Sequence, residues 1–154
     1  MRIILAEHDE FWRDVSKRGF SAITGAEVVS LVDCGELLDL VRKGSNLRGA
    51  NFLVMEHYLP LCTFAGTPQE YDERLERLSR DFPDVATVTD GQLTSEKVIH
   101  WMRSVGVQVP IIIHTISLER AIAQDVLALP GVSYCHKSSM NTLFDAIRAA
   151  MQNR

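Results

Sequence analysis

Glu56 closes an apolar run, Ala50-Asn51-Phe52-Leu53-Val54-Met55, and leads into His57-Tyr58-Leu59-Pro60. A carboxylate at the end of a strand buried on both faces needs a compensating partner, because even a neutral polar group costs roughly 2–7 kcal/mol to bury unpaired. Three more apolar runs end in polar groups. Arg2-Ile3-Ile4-Leu5-Ala6 runs into Glu7-His8-Asp9-Glu10, Pro110-Ile111-Ile112-Ile113 into His114-Thr115, and Val132 to His136 into Lys137. Acids, a hydroxyl and a lysine at the ends of successive strands describe one pocket along the edge of a parallel sheet. Such a set suits charge pairing, oxygen ligation of a hard cation, or acid and base catalysis by Glu7 and Glu56. His8, His57, His114 and Glu56 together offer a transition-metal site on paper, without the short helix-borne spacing of a dedicated zinc centre. A glycine-rich phosphate loop and a nucleophile elbow are both absent from the sequence.

These side chains meet only if strands and helices alternate, and the sequence alternates from end to end, as βα units on a parallel sheet require. Asp9 caps a first helix that turns Phe11, Val15 and Ile23 toward the core, and Gly25 leads into the strand 27–32. The helix 35–43 carries Leu37, Leu38 and Val41 at helical spacing and stops at Gly44. Helices are also predicted from Thr94, presenting Val98, Ile99, Met102 and Val105, and from Ser117 to about Leu129, before Pro130-Gly131. A last helix starts at Ser139, with Leu143, Ile147 and Met151 on one face. One stretch, 61–90, is longer than a compact βα connection needs. Within it, Thr67-Pro68-Gln69-Glu70 is a capping box with proline at the first helical position. Tyr71, Leu75, Leu78 and Phe82 then form one stripe, and Pro83 ends it. This predicts an extra helix at about 67–82, either laid over the domain to cover apolar surface or added as a recognition element or lid.

With 154 residues, the chain is expected to form one domain, 1–154, without a fused output domain. Its net charge of -4 and scattered basic residues give no electrostatic case for nucleic acid. No run approaches the roughly 18 apolar residues of a membrane span. The three cysteines, Cys34, Cys62 and Cys135, lack metal-type spacing and read as reduced thiols of a cytoplasmic protein.

The order of the strand-end residues resembles that of a bacterial response-regulator receiver domain. That family places two acids after its first strand, a phosphoaccepting aspartate after the third, Ser or Thr after the fourth and lysine after the fifth. This chain offers Glu7-His8, Glu56, Thr115 and Lys137 in that order. Pro60, Asp90-Gly91, the passage Val109-Pro110-Ile111-Ile112-Ile113 and Tyr134, at the aromatic switch position, extend the resemblance. It covers nearly everything outside 61–89. The implied fold is α/β, flavodoxin-like and doubly wound, with a five-stranded parallel sheet in the order 2-1-3-4-5.

The departures from the family pattern bear on function. Glu56 stands where the family has aspartate, which moves the carboxylate outward by roughly 1.5 Å, and phosphoryl transfer depends on in-line placement. His8 replaces a direct Mg²⁺ ligand, and imidazole suits transition metals better. Ile116 replaces a small residue, Ser138 replaces a proline, and the segment 131–137 is one residue short. The resemblance thus implies a pseudo-receiver of two-component or phosphorelay type that works by phosphorylation-independent protein–protein interaction and needs no cofactor beyond weak Mg²⁺ binding. Glu56 is expected to pair with Lys137 or Thr115, and through Thr115 to hold Tyr134 as in the phosphorylated state. The expected partner is a protein of a signalling pathway, or a second copy in a homodimer, contacted through the face formed by the last helix pair and strand, near Tyr134. The alternatives are a slow metal-dependent phosphoacceptor and a small acid/base enzyme using Glu7 and Glu56 under the insertion.

Overall fold

The computed structural model describes residues 1–44, 47, 49–64, 66–86, 92–138 and 140–152. Asp90, Gly91 and Ser139 lie outside the described residues, as do the side chains of Ile23 and Met151.

Five strands make the central sheet, three buried inner ones, β1 (Arg2–Ala6), β3 (Phe52–Met55) and β6 (Ile111–Thr115), and two partly exposed edge strands, β2 (Glu27–Leu31) and β7 (Val132–His136). They are parallel and ordered β2-β1-β3-β6-β7. This is the predicted 2-1-3-4-5 once two short strands that flank the insertion are set aside. Because successive side chains of a strand point to opposite faces, the strands feed two cores. Ile3, Leu5, Phe52, Val54 and Ile112 pack with Phe20 of α1 (Glu10–Thr24) and Leu143, Phe144 and Ile147 of α6 (Met140–Gln152). Ile4, Leu53, Met55, Ile111 and Ile113 pack with α2 (Cys34–Arg42) and α4 (Ser95–Ser104) on the other face. No helix among the described residues is long and apolar enough to cross a membrane.

Two short strands bracket the insertion 61–90. β4 (Tyr58–Pro60) and β5 (Gln92–Thr94) pair antiparallel, and α3 (Pro68–Asp81) lies between them in sequence. The capping box forms as predicted, with Thr67 and Glu70 bonding each other's backbone N–H. Leu78 and Phe82 are buried, while Tyr71 and Leu75 are half-buried. Arg74 bonds Asp33 through both guanidinium nitrogens at 2.9 and 2.8 Å, and Arg77 does the same to Asp39 at 2.8 and 2.7 Å. Arg42 completes the series on Asp81 at 2.6 Å. Partners ascend together along both helices, so α3 runs in the same direction as α2. Asp33 also caps α2 through the Glu36 N–H and accepts both the N–H and the hydroxyl of Thr63. Its carboxylate is fully buried, and that number of donors is what a buried charge requires.

Three expectations fail for local reasons. Phe11 is 66% exposed, and α1 buries Ser16 and Phe20 instead, one and two turns beyond Trp12. The predicted helix 117–129 reduces to a 3-10 turn, Glu119–Ala121, and the single helical turn α5 (Gln124–Leu127). The Glu96 carboxylate takes the Ala123 N–H at 2.8 Å, and Ile122 and Ala123 are extended. Val105 lies past the end of α4 and is 53% exposed.

Candidate functional site

The apolar ladders place Glu7, Glu56, His114 and Lys137 at or just beyond the ends of β1, β3, β6 and β7. Alternation turns these residues to the face carrying α1 and α6. Three of them form one buried cluster. Lys137 Nζ bonds Glu7 Oε2 at 2.5 Å and also bonds Glu56 Oε2. The remaining oxygens are used locally: Glu56 Oε1 accepts the His57 N–H at 2.7 Å, and Glu7 Oε1 accepts the Asp9 N–H at 2.9 Å. Glu7, Glu56 and Lys137 are 2%, 6% and 6% exposed. Two carboxylates thus share one ammonium out of water. Burial pushes the Glu7 carboxyl above its ordinary range, against the opposing pull of Lys137.

Trp12 and His114 adjoin this cluster. Lys137 Nζ lies 5.6 Å from the Trp12 ring centroid, within cation–π range. The Trp12 and His114 rings meet edge to face at 6.1 Å. His114 is buried, its Nε2 has no hydrogen-bond partner, and its pKa is pushed down to about 4 by burial and then by Lys137. Arg13 ties the β1–α1 loop by donating to the carbonyls of Glu7 and His8, each at 3.0 Å. Neither Trp12 nor Arg13 stands out by sequence spacing. The signal was there in the Asp9 cap: Asp9 Oδ1 accepts the Trp12 N–H, and the first turn of a helix after a strand sits at the carboxyl edge of the sheet.

The other candidates fall outside the cluster. His8 is exposed, with Nδ1 3.7 Å from Glu7 Oε1. His57 points the opposite way from Glu56, and its Nε2 is 3.3 Å from Glu96 Oε1. Thr115 is fully buried, but its hydroxyl oxygen accepts the Ser117 N–H at 3.2 Å and shares no hydrogen bond with Glu56. Tyr134 donates its phenol to the Ser117 carbonyl at 2.8 Å. Thr115 and Tyr134 are therefore joined through the backbone of Ser117, with Glu56 outside that link. Ile116, next to Thr115, is 69% exposed.

Among the described residues, no three His, Cys, Asp or Glu side chains are grouped to hold a metal ion. Mg²⁺ does not fit these residues. The carboxylate oxygens it would take from Glu7 and Glu56 are engaged by an ammonium, and the side chain after Glu7 is an imidazole facing solvent.

No protein-family model matches the chain, and no curated protein matches it. Solved structures do. The Francisella response regulator 1452 receiver domain superposes with a TM-score of 0.65 at 14% identity, covering 99% of this chain and 97% of that one. A LuxR-family DNA-binding response regulator from Staphylococcus aureus gives 0.61 at 13% identity, over 97% of each chain. The receiver domain of the hybrid histidine kinase CckA gives 0.57 at 14% identity, over 97% of this chain and 98% of that one. At these identities the likeness is one of fold.

Proposed function

We propose that this chain, which has the receiver-domain fold, is a signalling module of two-component or phosphorelay type that acts by protein–protein contact without being phosphorylated. The observation that carries this reading is the Lys137 ammonium held between Glu7 and Glu56. In a phosphoaccepting pocket the acids hold a cation and the acceptor oxygen faces the incoming phosphorus, since positioning and charge neutralisation supply most of the catalysis. Here the positive charge is built into the chain, and both carboxylates already have partners. Glu56 is the acceptor-equivalent residue, Glu7 and His8 the altered acidic pair, and Lys137 the counter-ion. Thr115 and Tyr134 form a separate switch element around Ser117. Contact with a protein partner, or with a second copy, would run through the side of the domain formed by Tyr134 and the β6–α5 loop, where Ile116 and Leu118 are exposed. The insertion supplies a second contact surface. The protein is expected to be cytoplasmic.

Incubation with Mg²⁺ and acetyl phosphate, followed by intact mass, tests this directly. The expected result is no added phosphoryl mass and no saturable change in Trp12 fluorescence with Mg²⁺ or Mn²⁺. A phosphoryl adduct on Glu56 with a saturable metal response would overturn the proposal in favour of a slow, metal-dependent phosphoacceptor.

A further inference from the structure

α3 is held to the domain by charge more than by apolar surface. Of its 14 residues only Leu78 is buried, and the buried Phe82 and Val85 follow its end. Two of its ion pairs to α2 face solvent, since the Arg42 and Arg77 side chains are 57% and 35% exposed. Pairs so placed contribute little net stability and are screened by salt. The third, Arg74 on Asp33, is sheltered. Asp33 nevertheless keeps the Glu36 N–H and both Thr63 donors if Arg74 leaves, so its buried charge is not stranded.

The base of the insertion is closed independently of α3. β4 and β5 pair from Tyr58 opposite Thr94 to Pro60 opposite Gln92, which returns both chain ends to one place. α3 also carries its own support: the capping box, the Gln69 amide on Glu73 at 2.9 Å, and Arg77 at 3.7 Å from Asp81 one turn on. Elements with few buried apolar contacts open well before the whole domain does. We propose that α3 is a detachable cover, which leaves α2 as a unit in a salt-dependent equilibrium while the central sheet stays folded. Release uncovers the Gly35 side of α2, against which Leu78 packs, and the thiol of Cys62. The insertion thus switches the surface beside α2 between two states.

Two cysteines serve as matched reporters. Cys62 and Cys135 are each 5% exposed, and burial raises both thiols, against the pull of Arg74 at Cys62. Cys62 lies against α3, and Cys135 lies beneath α6, where its Sγ is 3.5 Å from the Thr142 hydroxyl. Labelling of the full chain with N-ethylmaleimide over time, read by peptide mass, gives a rate at each site. Dividing by the rate at the same cysteine in the urea-unfolded chain removes sequence effects. Cys62 should react about tenfold or more faster than Cys135 at pH 7, because local opening is more populated than global unfolding. In low urea, Cys135 should accelerate with the slope of global unfolding and Cys62 with a much shallower one. Raising NaCl from roughly 0.05 to 1 M should speed Cys62 severalfold as α3 is freed, whereas screening of Arg74 in a fixed structure would slow it. Arg77→Gln, a change at the surface, should speed Cys62 and shrink its salt response. Equal rates at the two cysteines, a common urea slope, slowing of Cys62 in salt, or an Arg77→Gln variant that labels like the parent would each overturn the proposal.

Discussion

Lys137 is the residue on which the pocket turns. Removing one partner of a buried ion pair leaves uncompensated charge, a loss of about 3–5 kcal/mol in comparable cases. Lys137→Met should therefore destabilise the fold on that scale in urea unfolding at pH 7. Adding Glu7→Gln and Glu56→Gln should recover part of the loss, since the stranded charges are then gone; no recovery would mean that Lys137 acts mainly through its packing. His114 makes a second prediction, in pH. Its folded pKa of about 4 lies below the ordinary 6.5, so the unfolded chain binds the extra proton between those values. Its contribution is complete above pH 6.5 and is lost as pH falls toward 4, amounting to roughly 3 kcal/mol at about 1.4 per unit. Glu7, whose pKa is raised, works in the opposite sense, so the readout is a difference. His114→Leu should gain on the parent by roughly that amount between pH 7 and pH 4 in parallel unfolding curves. Curves that stay parallel would show that His114 is solvated in the folded protein. The residue types were legible from the strand ends, including the Glu56 to Lys137 pair. The Trp12 contact was not, because Trp12 reaches Lys137 across 125 residues of chain and leaves no local spacing.

Among the elements, α3 separates what local pattern reveals from what it conceals. The Thr67 to Glu70 box and the Tyr71, Leu75, Leu78, Phe82 stripe lie within one helical segment, and both were readable. Where α3 docks was not, since Arg74 and Arg77 find Asp33 and Asp39 some 40 residues upstream. The helix expected at 117–129 failed for the converse reason: Glu96, on a different helix, takes the Ala123 N–H and holds the chain extended. The close approach of α3 to α2 yields a prediction whose sign opposes propensity. An added Cβ at Gly35 would lie 2.6 Å from Leu78 Cδ1 and 3.0 Å from the Leu61 carbonyl oxygen, to which the Gly35 N–H donates. Alanine within an exposed helix normally gains about 1 kcal/mol over glycine. Gly35→Ala should instead lose about 1–3 kcal/mol, the cost of overpacking, and should expose α3 to limited proteolysis. A stabilised variant would show that α3 can shift aside at little cost. Asp33→Ala tests the same interface electrostatically, by leaving Arg74 and the Thr63 donors without their acceptor. It should release α3 to protease at concentrations the parent resists, and equal resistance would place the docking energy in Leu78 and Phe82 alone.

Across the whole molecule, topology was the most legible level, because continuous apolar strands alternating with amphipathic helices admit few arrangements, and the order of strand-end residues selected among them. The coupling between sites was less so. A longer carboxylate at position 56 suggested a direct grip on Thr115 and thence on Tyr134, but residues one apart on a strand face opposite ways. Glu56 follows Lys137 to the α1 face, while the Thr115 hydroxyl and Tyr134 meet Ser117 on the other. What joins the two sides is backbone: the Lys137 N–H donates to the Thr115 carbonyl at 2.8 Å. A backbone link transmits displacement but carries no charge from Glu56 to Tyr134. A double-mutant cycle between Glu56→Gln and Tyr134→Phe should therefore be additive to within about 0.5 kcal/mol. The Tyr134→Phe amide shifts should gather at residues 115–119 and leave residues 7–13 in place. An interaction energy well above that limit would mean that Glu56 does set the tyrosine, making the domain a permanently switched form of its fold. Additivity instead makes the cluster a neutralised pocket and leaves Tyr134 free to answer a partner that docks beside Ile116 and Leu118.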